Sequence, residues 1–246
     1  MEQGFAGKVI VVTGGASGIG AATIALLARD GAQMVSVDRA ATTPDGAALA
    51  LCGDVGDPGT VAAHAAEIDA RLGGFDGLVT CAGYSNGKAV PDCPVSEWDA
   101  IMRTNLTGTF LWAQAAVAAM RAHRRGGALV MTGSQLAFAG GRANAAYLAS
   151  KGAVVSLART MAVDHAPEGI RVNVLVPGAI DTPLLQRAFD RAPDPGAARQ
   201  RSVSRHPLGR LGRAEEMACA IRFLLSPEAS FTTGSCLFAD GGWLAG

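Results

Sequence analysis

The chain has 246 residues, 21 basic and 21 acidic side chains, a formal net charge of zero, 49% hydrophobic residues and only 17% charged ones. That balance excludes a disordered chain and offers no global positive charge for nucleic acid. The five cysteines are odd in number and lack CxxC or other ligand spacing, and no two histidines stand at metal-ligand spacing, so neither a disulfide framework nor a metal site is expected.

The first fifteen residues, MEQGFAGKVIVVTGG, start acidic and hold an apolar run too short for a secretion signal or a membrane span, which points to a cytoplasmic protein. KVIVVTG (8–14) reads as the first strand and 18–30 as the first helix. QMVSVDR (33–39) is the second strand, ALALCGDV (48–55) a weaker one, and 58–72 a helix. DGLVTCAG (76–83) is a strand, followed by a long helix over 96–123 whose SEWD start (96–99) has the form of a capping box. GALVMTGS (127–134), a helix over 149–165, IRVNVLVPG (170–178), a helix over 214–225 and CLFADGG (236–242) complete the alternation. Unbroken apolar strands alternating with helices predict an α/β, Rossmann-like, doubly wound parallel sheet of about seven strands with helices on both faces. The whole of 1–246 reads as a single domain. Its one irregular stretch, 183–213, is rich in Pro, Gly and Arg and is long enough to be a lid or binding loop.

TGGASGIG (13–20) falls between the first strand and the first helix. Gly14, Gly18 and Gly20 let the chain turn tightly and let backbone N–H groups approach a pyrophosphate at a helix N-terminus. Asp38 ends the second strand, where a carboxylate can accept from both hydroxyls of an adenosine ribose and repels a 2′-phosphate. Arg39 follows it and could receive such a phosphate; because Asp38 comes first, NAD is favoured over NADP.

Tyr147 and Lys151 are four residues apart, which on a helix puts them on one face. An unperturbed tyrosine, with a pKa of about 10, is a poor base at neutral pH. An adjacent ammonium favours the phenolate, which could take a hydroxyl proton as hydride leaves the neighbouring carbon. Ser134 ends a strand at the carboxyl edge of the sheet, where its hydroxyl could hold the substrate oxygen.

Together these motifs resemble the short-chain dehydrogenase/reductase family in its compact form, and the resemblance spans the whole chain. It rests on the TGxxxGxG turn (Thr13, Gly14, Gly18, Gly20), Asp54-Val55, C-A-G at 81–83, Asn105, Ser134, Tyr147, Lys151, PGAIDT (177–182) and DGG (240–242). The resemblance implies that Tyr147 is the general acid/base, that Ser134 polarises the substrate oxygen, and that Lys151 binds the nicotinamide ribose while lowering the tyrosine pKa. It implies that Asn105 helps hold a water-linked proton path. It also implies cofactor contacts from Gly14, Ser17, Gly18, Ile19, Gly20, Asp38, Arg39, Asp54, Val55, Ala82, Gly83, Pro177, Gly178, Ile180 and Thr182, with Asp54 and Val55 at the adenine and Ile180 and Thr182 at the carboxamide. A homotetramer packed through the 96–123 and 149–165 helices is implied too. Three positions bear on these expectations. Thr80 and Cys81 stand where the family usually has asparagine, and Ser17 stands where NADP-dependent relatives often carry a basic residue.

For the substrate, Gln135, Arg142 and Asn144 flank Ser134 and Tyr147 and offer hydrogen bonds suited to a sugar, sugar acid or other hydroxy acid. Arg142 could pair with a carboxylate. The 183–213 stretch carries seven arginines and His206 against two aspartates, a basic lid that would attract an anion. Trp243, three residues from the last, stands where tetrameric relatives can place the tail near a neighbouring subunit's pocket, and it could equally serve in packing. The leading expectation is an NAD-dependent dehydrogenase of a small polar, possibly anionic substrate, with no nucleic-acid or membrane partner. The alternatives are an NADPH-dependent 3-oxoacyl-carrier-protein reductase and a protein that binds NAD without turning it over.

Overall fold

The computed structural model describes residues 4–246, so Glu2 of the acidic start lies outside the described residues. Seven strands occupy the expected runs: β1 (Val9–Thr13), β2 (Gln33–Asp38), β3 (Ala47–Cys52), β4 (Gly77–Thr80), β5 (Gly127–Thr132), β6 (Ile170–Pro177) and β7 (Cys236–Ala239). They form one parallel sheet in the order β3-β2-β1-β4-β5-β6-β7. The winding reverses between β1 and β4, which opens a crevice at the carboxyl ends of those strands.

β1 explains the unbroken apolar runs. Val9 and Val11 enter a core cluster with Trp112, Met120 and Met161, whereas Ile10 and Val12 enter a second one with Ile24, Leu27 and Ile221. Both faces of the strand are therefore buried, and each such side chain contributes roughly 1.5–3 kcal/mol. Helices α1 (Gly18–Arg29) and, late in the chain, α8 (Ala214–Leu225) cover the second cluster. The first cluster lies under α2 (Pro58–Leu72) and two longer helices near the middle of the chain.

The middle helices depart from expectation. The 96–123 segment is not one regular helix: α3 (Val95–Met102) passes through a π-turn (Arg103–Thr107) into α4 (Gly108–Ala122). Nor does SEWD make a capping box. Pro94 is the N-cap, Ser96 lies inside α3, and Glu97 accepts from Asn86 Nδ2 and Lys88 Nζ instead of from a helix-end N–H. The helix expected at 149–165 begins earlier, as α5 (Ala145–His165), so Tyr147 falls in its first turn.

The 183–213 stretch is not irregular throughout. It contains α6 (Pro183–Asp190) and α7 (Pro195–Ser204), each opened by proline at the first helical position. Asp194 caps α7 by accepting from Ala197 N at 2.9 Å. His206, expected as one more positive charge on this lid, is buried. Its Nδ1 meets Ser202 O at 2.7 Å and its Nε2 accepts from Ala179 N at 3.2 Å, so both ring nitrogens are tied to backbone rather than offered to a ligand.

Candidate active site

The crevice at the β1/β4 switch is a cleft of about 970 Å³, at the upper end of the roughly 300–1,000 Å³ usual for ligand sites. One wall comes from the glycine turn. Gly14 has a φ of 69°, and a Cβ there would lie 2.6 Å from Ala82 N; one on Gly20 would lie 2.2 Å from Gly14 O. Only glycine lets these strands of backbone close on one another. Ser17 precedes α1 without a side-chain cap bond, and Ser17, Gly18 and Ile19 line the cleft. The first N–H groups of α1 are thus presented to an anion there.

Asp38 lies beside that turn at the end of β2. Its Oδ2 accepts from Ala16 N at 3.1 Å and its Oδ1 from Ala40 N at 3.0 Å, which leaves each oxygen a further lone pair for a sugar hydroxyl. Arg39, Asp54 and Val55 line the same end of the cleft. Asp54 is oriented by Gly56 N, 2.9 Å from its Oδ1, and by Arg103, 3.6 Å from its Oδ2. Ala82 and Gly83 form the floor, while Pro177, Gly178, Ile180 and Thr182 line the opposite side. A bare-backbone cradle at a helix start, followed by a ribose-height carboxylate, fits a nicotinamide dinucleotide.

The other end of the cleft holds Ser134, Gln135, Arg142, Asn144, Tyr147 and Lys151. Ser134 Oγ accepts from Leu136 N at 3.2 Å, and its hydroxyl lies near enough to that of Tyr147 to favour the phenolate. Lys151 Nζ donates to Thr132 O at 2.7 Å and stands 5.8 Å from the centre of the Tyr147 ring. Burial pulls the Lys151 ammonium down to about 8, with nearby Cys81 acting the other way. Burial also raises the Tyr147 hydroxyl above its ordinary value, opposed by the nearby Ser134 hydroxyl. The sequence reading had the lysine lowering the tyrosine; here desolvation dominates both groups. A phenolate and an ammonium formed together in this site would each relieve the other.

Asn105 does not line the cleft. It lies fully buried in the π-turn, where the widened backbone turns its amide toward two neighbours. Its Nδ2 donates to Tyr84 O and Ser150 Oγ, both at 3.0 Å, and its Oδ1 accepts from Tyr84 N at 3.0 Å. Ser150 Oγ in turn donates to Tyr147 O at 2.7 Å. Asn105 thus clamps the loop after β4 to the helix that carries Tyr147. Asn144 does comparable work at the rim, accepting from Ser85 Oγ at 2.6 Å.

Cys81, in the position where asparagine was expected, contacts Thr132 Oγ1 at 3.4 Å and joins β4 to β5 beneath Lys151. Sequence reasoning missed Tyr84 and Ser85, which enter the cleft from a loop with no motif, and Leu184 and Leu185 on α6. The Thr-Pro pair opening α6 was a usable signal for the last two. Trp243 also lines the cleft.

A family profile described as enoyl-(acyl carrier protein) reductase matches residues 14–244. The chain is 35% identical to 2-(S)-hydroxypropyl-CoM dehydrogenase 3 of Xanthobacter autotrophicus, with 100% of both chains covered. It is 41% identical to cis-4-hydroxycyclohexanecarboxylate dehydrogenase of Sinomonas cyclohexanicum, again with 100% of both covered. Among solved structures, the ligand-free aldohexose dehydrogenase of Thermoplasma acidophilum matches with a TM-score of 0.91 at 31% identity, covering 100% of this chain and 96% of that one.

Proposed function

The chain belongs to the short-chain dehydrogenase/reductase family and is an NAD(P)-dependent oxidoreductase acting on CH–OH groups, and we propose that it uses NAD to interconvert a secondary alcohol and a ketone on a small polar substrate. A sugar, sugar acid or other hydroxy acid suits the cleft best. The observation that carries this reading is that Ser134, Tyr147 and Lys151 line one cleft, with Lys151 held to Thr132 O, two residues before Ser134.

When bound, the cofactor supplies the hydride acceptor. Ser134 holds the substrate oxygen, and Tyr147 takes its proton during oxidation or returns it during reduction. Lys151 has two N–H donors beyond the one given to Thr132 O, enough for ribose hydroxyls. Asn105 acts on Tyr147 through Ser150, as a positioning residue rather than a group that meets the substrate. The glycine turn, Asp38, Asp54 and Val55 hold the adenosine end; Pro177, Gly178, Ile180 and Thr182 border the nicotinamide. Asp38 repels a 2′-phosphate, which favours NAD and weighs against a 3-oxoacyl-carrier-protein reductase working with NADPH. Gln135, Arg142 and Asn144 supply polar contacts to substrate, as the names of an aldohexose and a hydroxycarboxylate dehydrogenase among its relatives encourage.

The chain works as one cofactor-binding unit in which 183–213 is the lid. Phe110 on α4 is 45% exposed and Val163 on α5 is 76% exposed, apolar surface that supports the expected homotetramer through these helices; sedimentation would test it. All five cysteines are free, which supports a cytoplasmic, reducing setting. The test of the catalytic reading is NADH formation with polyols, aldonates and cyclic hydroxy acids, comparing NAD with NADP. Turnover of a true substrate that survives Tyr147→Phe would overturn the role given to Tyr147, whereas NAD binding with no turnover of any alcohol would favour a protein that only binds NAD.

A further inference from the structure

The seven lid arginines do not share one environment. Arg199 pairs with Asp181 at 3.2 Å, and Arg210 and Arg213 both pair with Glu216. Arg191 packs beside Gly87 and does not line the cleft. The remaining three, Arg187 on α6 and Arg201 and Arg205 at the end of α7, line the cleft, and none has a carboxylate in ion-pair reach among the described residues.

Arg201 and Arg205 are four residues apart, so they project from one face of α7, the face from which Ala198 and Ser202 also line the cleft. Like charges at this spacing repel. Nothing acidic inside α7 offsets them, since its only carboxylate is the capping Asp194. The acids that line the cleft, Asp38 and Asp54, are both at the adenosine end. No other acid lines the cleft, so Arg187, Arg201 and Arg205, exposed at its edge, meet no compensating carboxylate there, and such a cluster attracts an anion.

We propose that Arg201 and Arg205, with Arg187 of α6, form an anion subsite on the lid, and that the substrate is a secondary alcohol bearing a carboxylate or similar oxyanion away from the reacting carbon. This rests on the oxidoreductase reading above and sharpens its substrate class. Two guanidinium forks offer charge-assisted bonds to one oxyanion and relieve their own repulsion as it enters. Binding of the anion therefore draws α7 over the substrate. A pyrophosphate of the cofactor has the same chemistry, but the glycine turn already supplies its site. α6 starts beside that turn, with Thr182 3.2 Å from where a Gly18 Cβ would be, whereas α7 is a helix further on.

The test is calorimetric titration of the full chain, saturated with NAD, with cyclohexanecarboxylate and with neutral cyclohexanecarboxamide. The wild type is expected to prefer the carboxylate, and R201Q/R205Q to weaken it about ten- to a hundredfold while leaving the carboxamide unchanged. Equal binding of the two probes by the wild type, or carboxylate binding unchanged in R201Q/R205Q, overturns the subsite. So does a variant in which NAD affinity falls instead, which would assign these arginines to the cofactor; R187Q, measured alongside, locates that loss. Hydroxy acids and their methyl esters are then compared by NADH formation. Esters oxidised as well as acids overturn the proposed substrate class, whereas carboxylate binding without turnover of any alcohol upholds the subsite and removes the oxidoreductase reading beneath it.

Discussion

The ammonium of Lys151 is anchored by the main-chain carbonyl of Thr132, 2.7 Å away and two residues before Ser134. The lysine is therefore fixed to the same strand end that presents the serine, and the strand, more than the tyrosine, sets its position. Its side chain is only 4% exposed, so it carries its charge at a desolvation cost.

That cost has a direction in pH. Burial lowers Lys151 from 10.5 to about 8, so between those values the unfolded chain holds the proton and the folded one does not. Stability from this group is lowest below pH 8 and rises as pH climbs toward 10.5. Lys151→Met abolishes the effect. The difference in Tm between wild type and Lys151→Met is expected to move in favour of the wild type from pH 7 to pH 10, read by thermal melts. A difference that stays constant across that range would mean the buried amine does not titrate there.

Tyr147→Phe keeps the ring and removes only the hydroxyl, which lies in the cleft with Ser134. Alcohol oxidation is expected to fall by roughly a hundred- to ten-thousandfold, with NAD affinity nearly unchanged by calorimetry. A parallel loss of NAD binding would mark the residue as part of the cofactor cradle instead.

Asp38→Ser removes the charge that faces a 2′-phosphate and leaves Arg39 in place. The ratio of kcat/KM for NAD over NADP is expected to fall by about a hundredfold, the scale of one relieved like-charge contact. Activity with NAD should drop as well, because Ala16 N and Ala40 N lose their acceptor. An unchanged ratio would remove the carboxylate from cofactor choice.

Asn105→Ala strands the Tyr84 amide and carbonyl in a site where Asn105 is wholly buried. Each buried group left unpaired costs about 1–3 kcal/mol, and each kcal/mol lowers Tm by roughly 2–4 °C in a chain of this size. The melt should drop accordingly, with kcat falling further than KM rises because Ser150 loses its hold beneath Tyr147.

Much of this architecture was legible because parallel strands bury both faces. Val9 to Val12 must be apolar throughout, and the glycines that follow must be glycine to avoid the 2.2–2.6 Å collisions at Gly20 and Gly14. Such requirements are local and leave marks in the residue order. α7 left none of that kind: no residue of it is buried, so it has no apolar stripe to reveal its period. Its Asp-Pro start was the surviving trace. The role of Asn105 depends on a π-turn and on partners 21 and 45 residues away, and no spacing rule encodes those. The separation of the lid arginines into paired and unpaired sets likewise depends on where Asp181 and Glu216 come to rest.

A π-turn closes one residue later than an α-turn, so Arg103–Thr107 lodges one residue more than a regular helix would between α3 and α4. Trimming a single residue there would leave α4 nearly in phase, with Trp112 still 6.5 Å from the Phe75 ring and 6.4 Å from that of His64. What would go is the swelling that carries the Asn105 amide to Tyr84 and Ser150. The residue count of this segment therefore serves the active-site loop more than the packing of the helix that follows.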